Sequence, residues 1–451
     1  MNFRTSSLIL AATLVLVSCS DKAYRGEWAE YKKIEASITE PVFADMNYDI
    51  SDYGAVPSDT IDSRPAVLEA ISSCNRNGGG RVTVPSGRYF IKGPVVLLSN
   101  VDLHFEDGSE FLFSSQAEDY LPVVLTRWEG TEVYNYSPLI YAYGEKNIAI
   151  TGKGVLNGNG QAGFVQWKYL QTPDQKALRK MGHELTPVSE RVFGEGHYLR
   201  PAFMDLVSCS DILIEDVKMV DCPFWSFHLA CCENATLRRC SVDCLNHNSD
   251  GIDPECSRNV LIEDCHFHTG DDGIAIKSGR DEDGWRVGKP TENVIVRGCT
   301  FVSDRANGMC IGSEISGGVR NIFVENIDIV SAKHGLYFKS NLDRGGYIED
   351  VHIRNVKIGR TFDSAIKFEP DYKSESTADH PTLMRNFHIS DVQCDTSELR
   401  GIYAKGFAQL PLQDILIENL TIGYTPVASE VEYAENFSLK NVVINGEPVC
   451  P

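Results

Sequence analysis

The sequence predicts an all-β protein whose strands coil into a parallel β-helix. A short strand pattern recurs from Asn147 onward, and neighbouring copies begin 22 to 25 residues apart where no insertion separates them. A fixed period of this length is typical of solenoids. The copies are rich in Ile, Val and Phe and alternate polar with apolar positions, which is typical of strands and not of leucine-rich repeats.

Each copy of the pattern begins with Asn or Asp, continues with alternating apolar residues and ends in a second polar turn. Stacked coils would bury the apolar residues against the coils above and below, and the Asn side chains could bond along the turns. Adjacent coils would then lie about 4.8 Å apart. The copies begin at Asn147, Asp211, Asn234, Asn259, Asn293, Asn321, Asp350, Asn386, Asp414 and Asn436.

One short helix is predicted before the repeats, over Asp62–Cys74. Asp62 or Ser63 could cap it, and Pro65 suits its first turn. Such a helix would cover the open first coil, because the ends of a solenoid need a cap. Its apolar face consists of Val67, Leu68 and Ile71.

The repeats predict one β-helix domain over residues 46–451, with a linker over 20–45. Between Gly160 and Arg200 the repeat lapses into a charged, partly helical stretch that contains Trp167 and Arg179. An insertion of this length, about 160–200, is more typical of a functional loop than of a linker.

The first 19 residues read as a bacterial lipoprotein signal peptide. Arg4 precedes an apolar run from Leu8 to Val17, and Cys19 ends the segment. The run is about half of the roughly 20 residues that cross a bilayer, so a membrane-spanning anchor is disfavoured. We expect a lipid anchor at Cys19 and a location in the periplasm or outer membrane of a Gram-negative bacterium.

Charge and cysteine content argue against a nucleic-acid-binding protein and against a disulfide framework. The net charge is −21, whereas nucleic-acid-binding proteins usually carry a basic patch, so we expect no nucleic-acid partner. Fourteen cysteines suggest disulfides in an exported protein, but thirteen remain beyond Cys19. Cys240, Cys265 and Cys299 share one repeat register, which favours small apolar residues stacked in the core.

A second recurring strand carries the polar residues of interest. Asp250-Gly251-Ile252-Asp253 matches Asp272-Gly273-Ile274-Ala275 at an offset of 22 residues, which is one coil. Asn307–Cys310 and His334–Tyr337 continue the column, and Arg400–Tyr403 extends it. The two acidic segments are therefore expected to stack on neighbouring coils.

Strict alternation would point Asp272 inward, so the strand is expected to bend at the recurring glycine. The bend would gather Asp250, Asp271 and Asp272 in one solvent-facing cleft. The other outward positions would be His228, Asp253, Ala275, Cys310, Tyr337 and Tyr403, followed by Lys277, Lys339 and Lys405.

Three close carboxylates indicate acid–base chemistry. Because they repel one another, at least one should keep its proton to a higher pH than a free Asp. A glycosidase needs this division, with one protonated acid for the leaving oxygen and one ionised base for water. A structural Asn/Asp turn ladder or a Ca²⁺ site remains open, although Lys277 and Lys339 disfavour the cation. We expect neither a metal nor a cofactor.

At these residues the chain resembles glycoside hydrolase family 28, the polygalacturonase family. Asn248-Ser249-Asp250 resembles its Asn-Thr-Asp motif, and Gly270-Asp271-Asp272 resembles its Gly-Asp-Asp motif. Ile311–Glu314 is similar to the segment after its Gly-His-Gly motif, and Lys339 to the Lys of its Arg-Ile-Lys motif. The resemblance implies a single-stranded, right-handed, pectin-lyase-like β-helix that acts on pectic polysaccharide or oligogalacturonides.

The resemblance also implies residue roles. Asp271 would be the general acid, Asp250 and Asp272 would hold and activate water, and hydrolysis would invert the anomeric carbon. Lys339 would pair with a substrate carboxylate, and Asn248 belongs to the same motif set.

Two family residues are replaced here, because His falls at Asn307 and Arg falls at Tyr337. Both changes affect expected substrate contacts, so the polymer and the mode of attack, endo or exo, stay open. Further candidates for substrate binding are Lys277, Arg280, Arg344 and His228.

Two other function classes compete with the hydrolase. A Ca²⁺-dependent pectate-type lyase on the same fold would need Ca²⁺ and would release unsaturated products. A non-catalytic β-helix would bind glycan without turnover. A monomer is expected in all three cases.

Overall fold

The computed structural model describes residues 28–373 and 380–449. It divides into two compact units, Met1–Ser37 and Ile38–Pro451. The predicted signal peptide and Cys19 lie outside the described residues. No helix in the described part of the chain is both long and apolar enough to cross a membrane.

In the first unit, residues 28–37 form helix α1, which falls within the segment expected to be a linker. Ion pairs between Glu30 and Lys33 and between Lys32 and Glu35, three residues apart, support the helix. The rings of Trp28 and Tyr31 lie 5.4 Å apart on the same side.

The second unit is the predicted parallel β-helix, in which three ladders of parallel strands run side by side. The first ladder begins with Asn47–Asp49 (β1), Gly80–Val84 (β3), Val101–Phe105 (β6), Lys146–Gly152 (β11), Ser210–Glu215 (β15), Glu233–Arg238 (β18) and Arg258–Glu263 (β21). It continues with Thr291–Arg297 (β24), Val319–Lys339 (β27), Tyr347–Glu369 (β28), Leu383–Ser397 (β29), Leu412–Tyr424 (β31) and Ala434–Ile444 (β33).

The second ladder contains Ser58–Asp62 (β2), Gly87–Ile91 (β4), Ser109–Phe113 (β7), Val155–Asn157 (β12), Lys218–Val220 (β16), Ser241–Cys244 (β19), His266–Thr269 (β22) and Thr300–Val302 (β25). The third contains Val95–Val96 (β5), Ile140–Tyr143 (β10), Met204–Val207 (β14), Phe227–Ala230 (β17), Ile252–Glu255 (β20), Ile274–Ile276 (β23), Met309–Ile311 (β26), Arg400–Lys405 (β30) and Val427–Glu432 (β32). Later strands bend from one ladder into the next, and Glu447–Pro448 (β34) pairs antiparallel at the end.

The core consists of the inward apolar positions of each ladder, stacked coil on coil. In the first ladder Ile212, Ala235, Val260 and Val294 occupy the same position on successive strands, and all are buried. Burying apolar surface in this way is the main stabilising contribution to folding.

The predicted Asn ladder is present at the turn before the first ladder. Asn321 donates to the Asn293 side chain (3.0 Å), and Asn293 donates to Asn259 (2.9 Å). All three residues have a positive φ, 55° to 59°. Asn tolerates this left-handed conformation better than most residues, which explains why the polar position recurs at each coil.

The cysteines agree with the core interpretation. All cysteines that the structure describes are free thiols. Cys240, Cys265 and Cys299 are 1–2 % exposed, and each thiol donates to a backbone carbonyl.

The capping helix α2 spans Arg64–Arg76, slightly later than predicted, with Pro65 in its first turn. The backbone N–H of Arg64 donates to the Asp62 carboxylate, which holds the chain entering the helix. The helix buries one face against the first coils through Ala66, Val67, Ala70, Ile71 and Cys74.

Irregular segments form a structure that we call the wall, consisting of residues 124–135, 160–200 and 281–287. It contains the strands Val124–Trp128 (β8), Thr131–Asn135 (β9) and Val192–Phe193 (β13), and the helices Thr172–His183 (α3) and Asp281–Val287 (α4). The 3₁₀ turns of the protein are Ile50–Tyr53, Ala117–Tyr120, Gly160–Ala162, Phe164–Tyr169 and Val188–Glu190.

Buried ion pairs hold the wall in place. Arg191 and Asp283 join two of its segments at 2.7 Å, with both side chains fully buried. Arg127 of β8 pairs with Glu255 of β20 at 2.8 Å, and the Trp128 ring stacks on Phe224 with centroids 5.5 Å apart. The wall is therefore fixed to the coil that carries Asp250 and Asp253 and to the coil before it.

Candidate active site

The polar column predicted from the Asp-Gly-Ile repeats is present in the third ladder. Ile252, Ile274, Met309 and Leu336 occupy the same position on successive coils. The column continues through Ile366 to Ile402. The coil of Ile366 has Ser364 and Ala365 where His334 and Gly335 stand on the preceding coil. Because this coil lacks the glycine, the sequence pattern did not indicate it.

The recurring glycines permit close packing where the chain bends into the third ladder. A Cβ at Gly251 would lie 2.3 Å from both the Gly273 carbonyl oxygen and the Phe267 ring, and a Cβ at Gly273 would lie 2.4 Å from the Phe301 ring. Glycine is the residue that fits such a close approach. The acidic residues sit in this bend, just before the strands begin.

The bend gathers Asp250, Asp271 and Asp272 as predicted. One carboxylate oxygen from each lies within 4.8 Å of the others. Asp250 and Asp272 are 3 % and 1 % exposed, whereas Asp271 is only half-buried. Asp271 is therefore the carboxylate that a ligand in the cleft would meet first.

The three carboxylates differ in proton affinity. Burial, followed by the negative charges of its neighbours, raises the pKa of Asp250 and of Asp271. Burial also disfavours the charged form of Asp272, but Lys339 and Lys277 outweigh it and lower the pKa of Asp272. The site thus combines an ionised carboxylate with carboxyl groups that keep a proton, which is the division acid–base catalysis requires.

Two lysines fix these charges. Lys339 donates to Asp272 at 2.7 Å and lies 5.3 Å from the centre of the Tyr337 ring. Lys277 lies 3.7 Å from Asp250 and 3.3 Å from Asp253, a fourth carboxylate that is fully buried. Burial raises the pKa of Asp253 to about 7, although Lys277 opposes the shift.

Glu314 is a site residue that the sequence reasoning did not single out. Its carboxylate contacts Arg280 at 3.0 Å, Lys277 at 3.6 Å and Arg344 at 3.8 Å. Burial disfavours its charge, but these cations hold the pKa of Glu314 well below its usual range. Arg280 and Arg344, both candidates for substrate binding, are 8 % and 3 % exposed, and both lie beside Glu314.

These residues line one pocket. The wall and the later loops supply lining residues that the repeat pattern could not indicate, namely Glu129, Arg179, Tyr372 and Lys373. Among the residues that the structure describes, six basic side chains line the pocket against five acidic ones, although the whole chain carries a net charge of −21. The basic members are Arg179, Lys277, Arg280, Lys339, Arg344 and Lys373.

Asn248 and Asn307 contact the carboxylates from two sides. Asn248 lines the pocket and donates to Asp271 at 3.4 Å, while Arg200 donates to its side-chain oxygen at 2.6 Å. Asn307 donates to Asp272 and is 7 % exposed. We therefore assign Asn307 to positioning Asp272, where direct substrate contact had been expected.

Tyr337 and His228 are corrections to the expected substrate contacts. Tyr337 is 2 % exposed and bonds Glu369, so it packs beside Lys339 instead of facing the pocket. His228 is fully buried beneath the wall, between Asp205 at 3.1 Å and Glu255 at 2.9 Å. Burial disfavours the imidazolium, but these carboxylates raise the pKa of His228 to about 10.

The outward column is less open than predicted. Beta-strand alternation correctly pointed His228, Asp253, Ala275, Cys310 and Tyr337 away from the core, yet all are buried. His228 lies beneath the wall, whereas Ala275, Cys310 and Tyr337 pack together with Tyr372. Residues 124–135 and 160–200 come from distant parts of the sequence, so the local pattern could not predict this cover.

The spacing of the carboxylates bears on stereochemistry. Two-carboxylate inverting glycosidases place these groups roughly 6.5–9.5 Å apart, and retaining ones about 5–5.5 Å apart. The 4.8 Å distance joins selected oxygens, one from each of Asp250, Asp271 and Asp272, and is not a separation between carboxyl groups. The expectation of inversion therefore rests on the motif resemblance and not on the spacing.

A cluster of three carboxylates could also hold a cation. Here, however, an ammonium group already lies 2.7 Å from Asp272 and another lies 3.7 Å from Asp250. Oxygen ligands for Ca²⁺ seldom share their site with ammonium groups. The donor set thus fits proton transfer better than metal binding.

Comparisons with known proteins identify the family of the chain. Residues 74–443 match the model of Glycosyl hydrolases family 28. A probable polygalacturonase from Vitis vinifera is 25 % identical over 94 % of this chain and 83 % of its own length. The structure of a hyperthermoactive exopolygalacturonase from Thermotoga maritima is 35 % identical with a TM-score of 0.89, covering 92 % of this chain and 95 % of that one. The polygalacturonase of Erwinia carotovora shares the fold, with 20 % identity and a TM-score of 0.65 over 89 % of this chain and 98 % of that one. The chain therefore belongs to glycoside hydrolase family 28.

Proposed function

We propose that this glycoside hydrolase removes galacturonate from the ends of pectic galacturonan by inverting hydrolysis. The observation that carries the proposal is the cluster of Asp250, Asp271 and Asp272 at the base of a cation-rich pocket. The polygalacturonases and exopolygalacturonase among its relatives support the substrate class.

In this proposal Asp271 donates its proton to the glycosidic oxygen. Its raised pKa keeps it protonated above the usual range of an Asp, and its partial exposure lets a ligand reach it. Asp272, held ionised by Lys339, accepts a proton from the attacking water. Asp250 holds the same water from the neighbouring coil, with one carboxylate oxygen free of protein hydrogen bonds.

The cations of the pocket would recognise the uronate. Lys339 and Lys277 lie beside the reacting carboxylates, and Arg280 and Arg344 are held by Glu314 on the adjoining side. Charge-assisted hydrogen bonds from Lys or Arg to a carboxylate are about twice as strong as neutral ones. A neutral sugar would leave these buried cations without that partner, which supports selection of a uronate.

The wall supports attack at chain ends. It contributes Glu129 and Arg179 to the pocket, and Arg280 directly precedes α4. The ion pair between Arg127 and Glu255 fixes the wall over the coil that carries Asp253. A polymer lying across the catalytic coils would meet the wall on that side, so a terminal residue would fit where an internal one would not.

Product analysis tests the proposal. The chain would be incubated with homogalacturonan and rhamnogalacturonan in the presence of EDTA, and its products compared with those of Asp271→Asn. We expect saturated monomeric galacturonate from homogalacturonan from the first time points, with the wild type alone. Unsaturated products or loss of turnover in EDTA would instead indicate a lyase, and early oligomers would indicate internal attack. Release from rhamnogalacturonan alone would change the substrate.

We also propose that the protein acts as an exported monomer with a lipid at Cys19. The Arg4-to-Cys19 segment supports the export signal, although it lies outside the described residues. Radiolabelled palmitate should enter the wild type in a Gram-negative host and should be absent from Cys19→Ala. Equal labelling of both chains would contradict lipidation, and light scattering would report the oligomeric state.

A further inference from the structure

Two cysteines, a partly exposed Cys231 and a buried Cys256, lie on neighbouring coils away from the carboxylate pocket. Cys231 follows β17 and Cys256 follows β20, and the register of these strands pairs Ala230 with Glu255. The two cysteines therefore occupy the same position one coil apart, with similar φ angles of 58° and 53°. Adjacent strands lie about 4.8 Å apart, within the roughly 4.4–6.8 Å between the Cα atoms of disulfide partners.

This pair differs from the other thiols. Of the cysteines in the described ranges, Cys231 alone is partly exposed, and the others are buried. Cys232, the next residue, faces the core and donates to the Leu206 carbonyl at 3.0 Å. Cys232 therefore points into the core, and Cys231 points outward.

The pair opens into a small surface pocket with basic side chains. The pocket shares no lining residue with the carboxylate pocket, and it is lined by Cys231, Cys232, Glu233, Cys256, Arg258, Lys289, Pro290 and Glu292. A hydrogen bond from the Cys256 thiol lowers the pKa of Cys231 to about 7, with Arg127 and Lys289 adding to the shift against burial. The thiolate is the nucleophilic form of cysteine, and a partly exposed thiol beside a cationic side chain is typical of reactive thiols. The two basic side chains of this pocket, Arg258 and Lys289, are balanced by Glu233 and Glu292.

We propose that Cys231 and Cys256 form a reversible dithiol–disulfide site. The Cys231 thiolate attacks one sulfur of a small disulfide such as oxidised glutathione, and a mixed disulfide forms as one glutathione thiolate leaves. Cys256 then loses its proton and attacks Cys231, which releases the second glutathione. The protein gives up two protons and two electrons, and the disulfide reagent is reduced to two thiols.

The product would be a covalent link between adjacent coils beside the Arg127–Glu255 ion pair that fixes the wall. Either redox state leaves the carboxylate pocket intact, because neither cysteine lines it. The inference therefore does not depend on the proposed hydrolysis.

Oxidation of the full chain tests the site. The protein would be incubated with oxidised glutathione, its remaining thiols blocked with N-ethylmaleimide, and its peptides analysed by mass spectrometry. We expect a peptide pair joined through Cys231 and Cys256 that dithiothreitol separates. Cys256→Ser should trap a stable glutathione adduct on Cys231, while Cys394→Ala, which removes a buried isolated thiol, should leave the cross-link unchanged.

Charge reversal at Lys289 keeps the proposal testable if a cysteine variant folds poorly. Lys289→Glu should slow the reaction of Cys231 with the anionic reagent dithionitrobenzoate several-fold, and salt should reduce the difference. Cross-links that form equally among Cys240, Cys265 and Cys299, or no cross-link at 231 and 256, would overturn the proposal. Equal reaction rates in the wild type and Lys289→Glu would also count against it.

Discussion

The ladders and the wall stabilise the same site by different means. In the ladders, each residue meets its counterpart one coil away, so hydrogen bonds and apolar contacts repeat at a constant spacing. In the wall, single contacts such as Arg191 with Asp283 join segments more than 90 residues apart. The ladders therefore set where the carboxylates stand, while the wall determines what can approach them.

The largest effect is expected from a variant that removes the proposed general acid and leaves the packing of the ladders and the wall unchanged. Asp271→Asn should lower kcat by about 10²–10⁴-fold, the usual contribution of general acid–base catalysis, while thermal stability stays near wild type. Reducing-sugar release and thermal melting measure the two quantities. Asp243→Asn, which changes an exposed carboxylate on β19, is the matched control and should keep full activity. Full activity in Asp271→Asn would remove the acid from this position.

The second prediction concerns a variant that disrupts the wall and leaves the ladders intact. Asp283→Ala leaves the buried Arg191 guanidinium without its partner, which typically costs about 3–5 kcal/mol. We expect faster proteolysis within residues 160–200, a higher KM and longer products, with the circular dichroism of the β-helix retained. Arg239→Ala, which removes exposed ladder ion pairs, should cost only about 0–1 kcal/mol and leave the products unchanged. Loss of the whole β-helix signal in Asp283→Ala would show that the two regions are not separable.

A third prediction uses the pH dependence of kcat/KM to distinguish the role of Asp271 from that of Asp272. The kcat/KM of the wild type should fall on the acid side only when Asp272, with its lowered pKa, gains a proton. On the alkaline side it should fall as Asp271, with its raised pKa, loses its proton. Lys339→Met removes the charge that lowers the pKa of Asp272, so its acid limb should move to higher pH.

The control for this shift is Lys405→Met. Lys405 lies in the same register farther along the ladder, where it pairs with Glu432 at 3.2 Å outside the pocket. Its pH profile should match the wild type. An unmoved acid limb in Lys339→Met would mean that a group other than Asp272 is the base.

The smallest effect is expected from one rung of the Asn ladder. Asn321→Ala loses the bond to Asn293 and places alanine at a φ of 56°, so unfolding free energy should fall by roughly 1–3 kcal/mol. Asn321→Gly loses the same bond without the strain and should be less destabilised. Denaturant unfolding measures both, and activity should not change. Equal stability of the alanine and glycine variants would argue that the left-handed backbone conformation does not select Asn.

The difference between the regions also explains what the sequence could predict. The Asn turns, the stacked Cys240, Cys265 and Cys299, and the Asp-Gly-Ile column follow a period that is visible in the residues, and the structure has all of them. The role of Glu314 and the burial of His228 depend on contacts between distant segments, so neither the Ile311–Glu314 motif nor the strand pattern indicated them. The two basic residues gathered by Glu314 offered the only hint, since buried cations require a carboxylate partner.

The anomeric configuration of the first product tests the central assignment most directly, because it distinguishes attack by water from attack by a carboxylate. The wild type would cleave a galacturonan oligomer inside an NMR spectrometer, with spectra recorded before mutarotation. If Asp271 is the acid, Asp272 is the base and Asp250 holds the water, the new reducing end appears first with the configuration opposite to that of the cleaved bond. A product that first appears with the original configuration would mean that one of these carboxylates attacks the sugar directly, which would contradict the proposed roles.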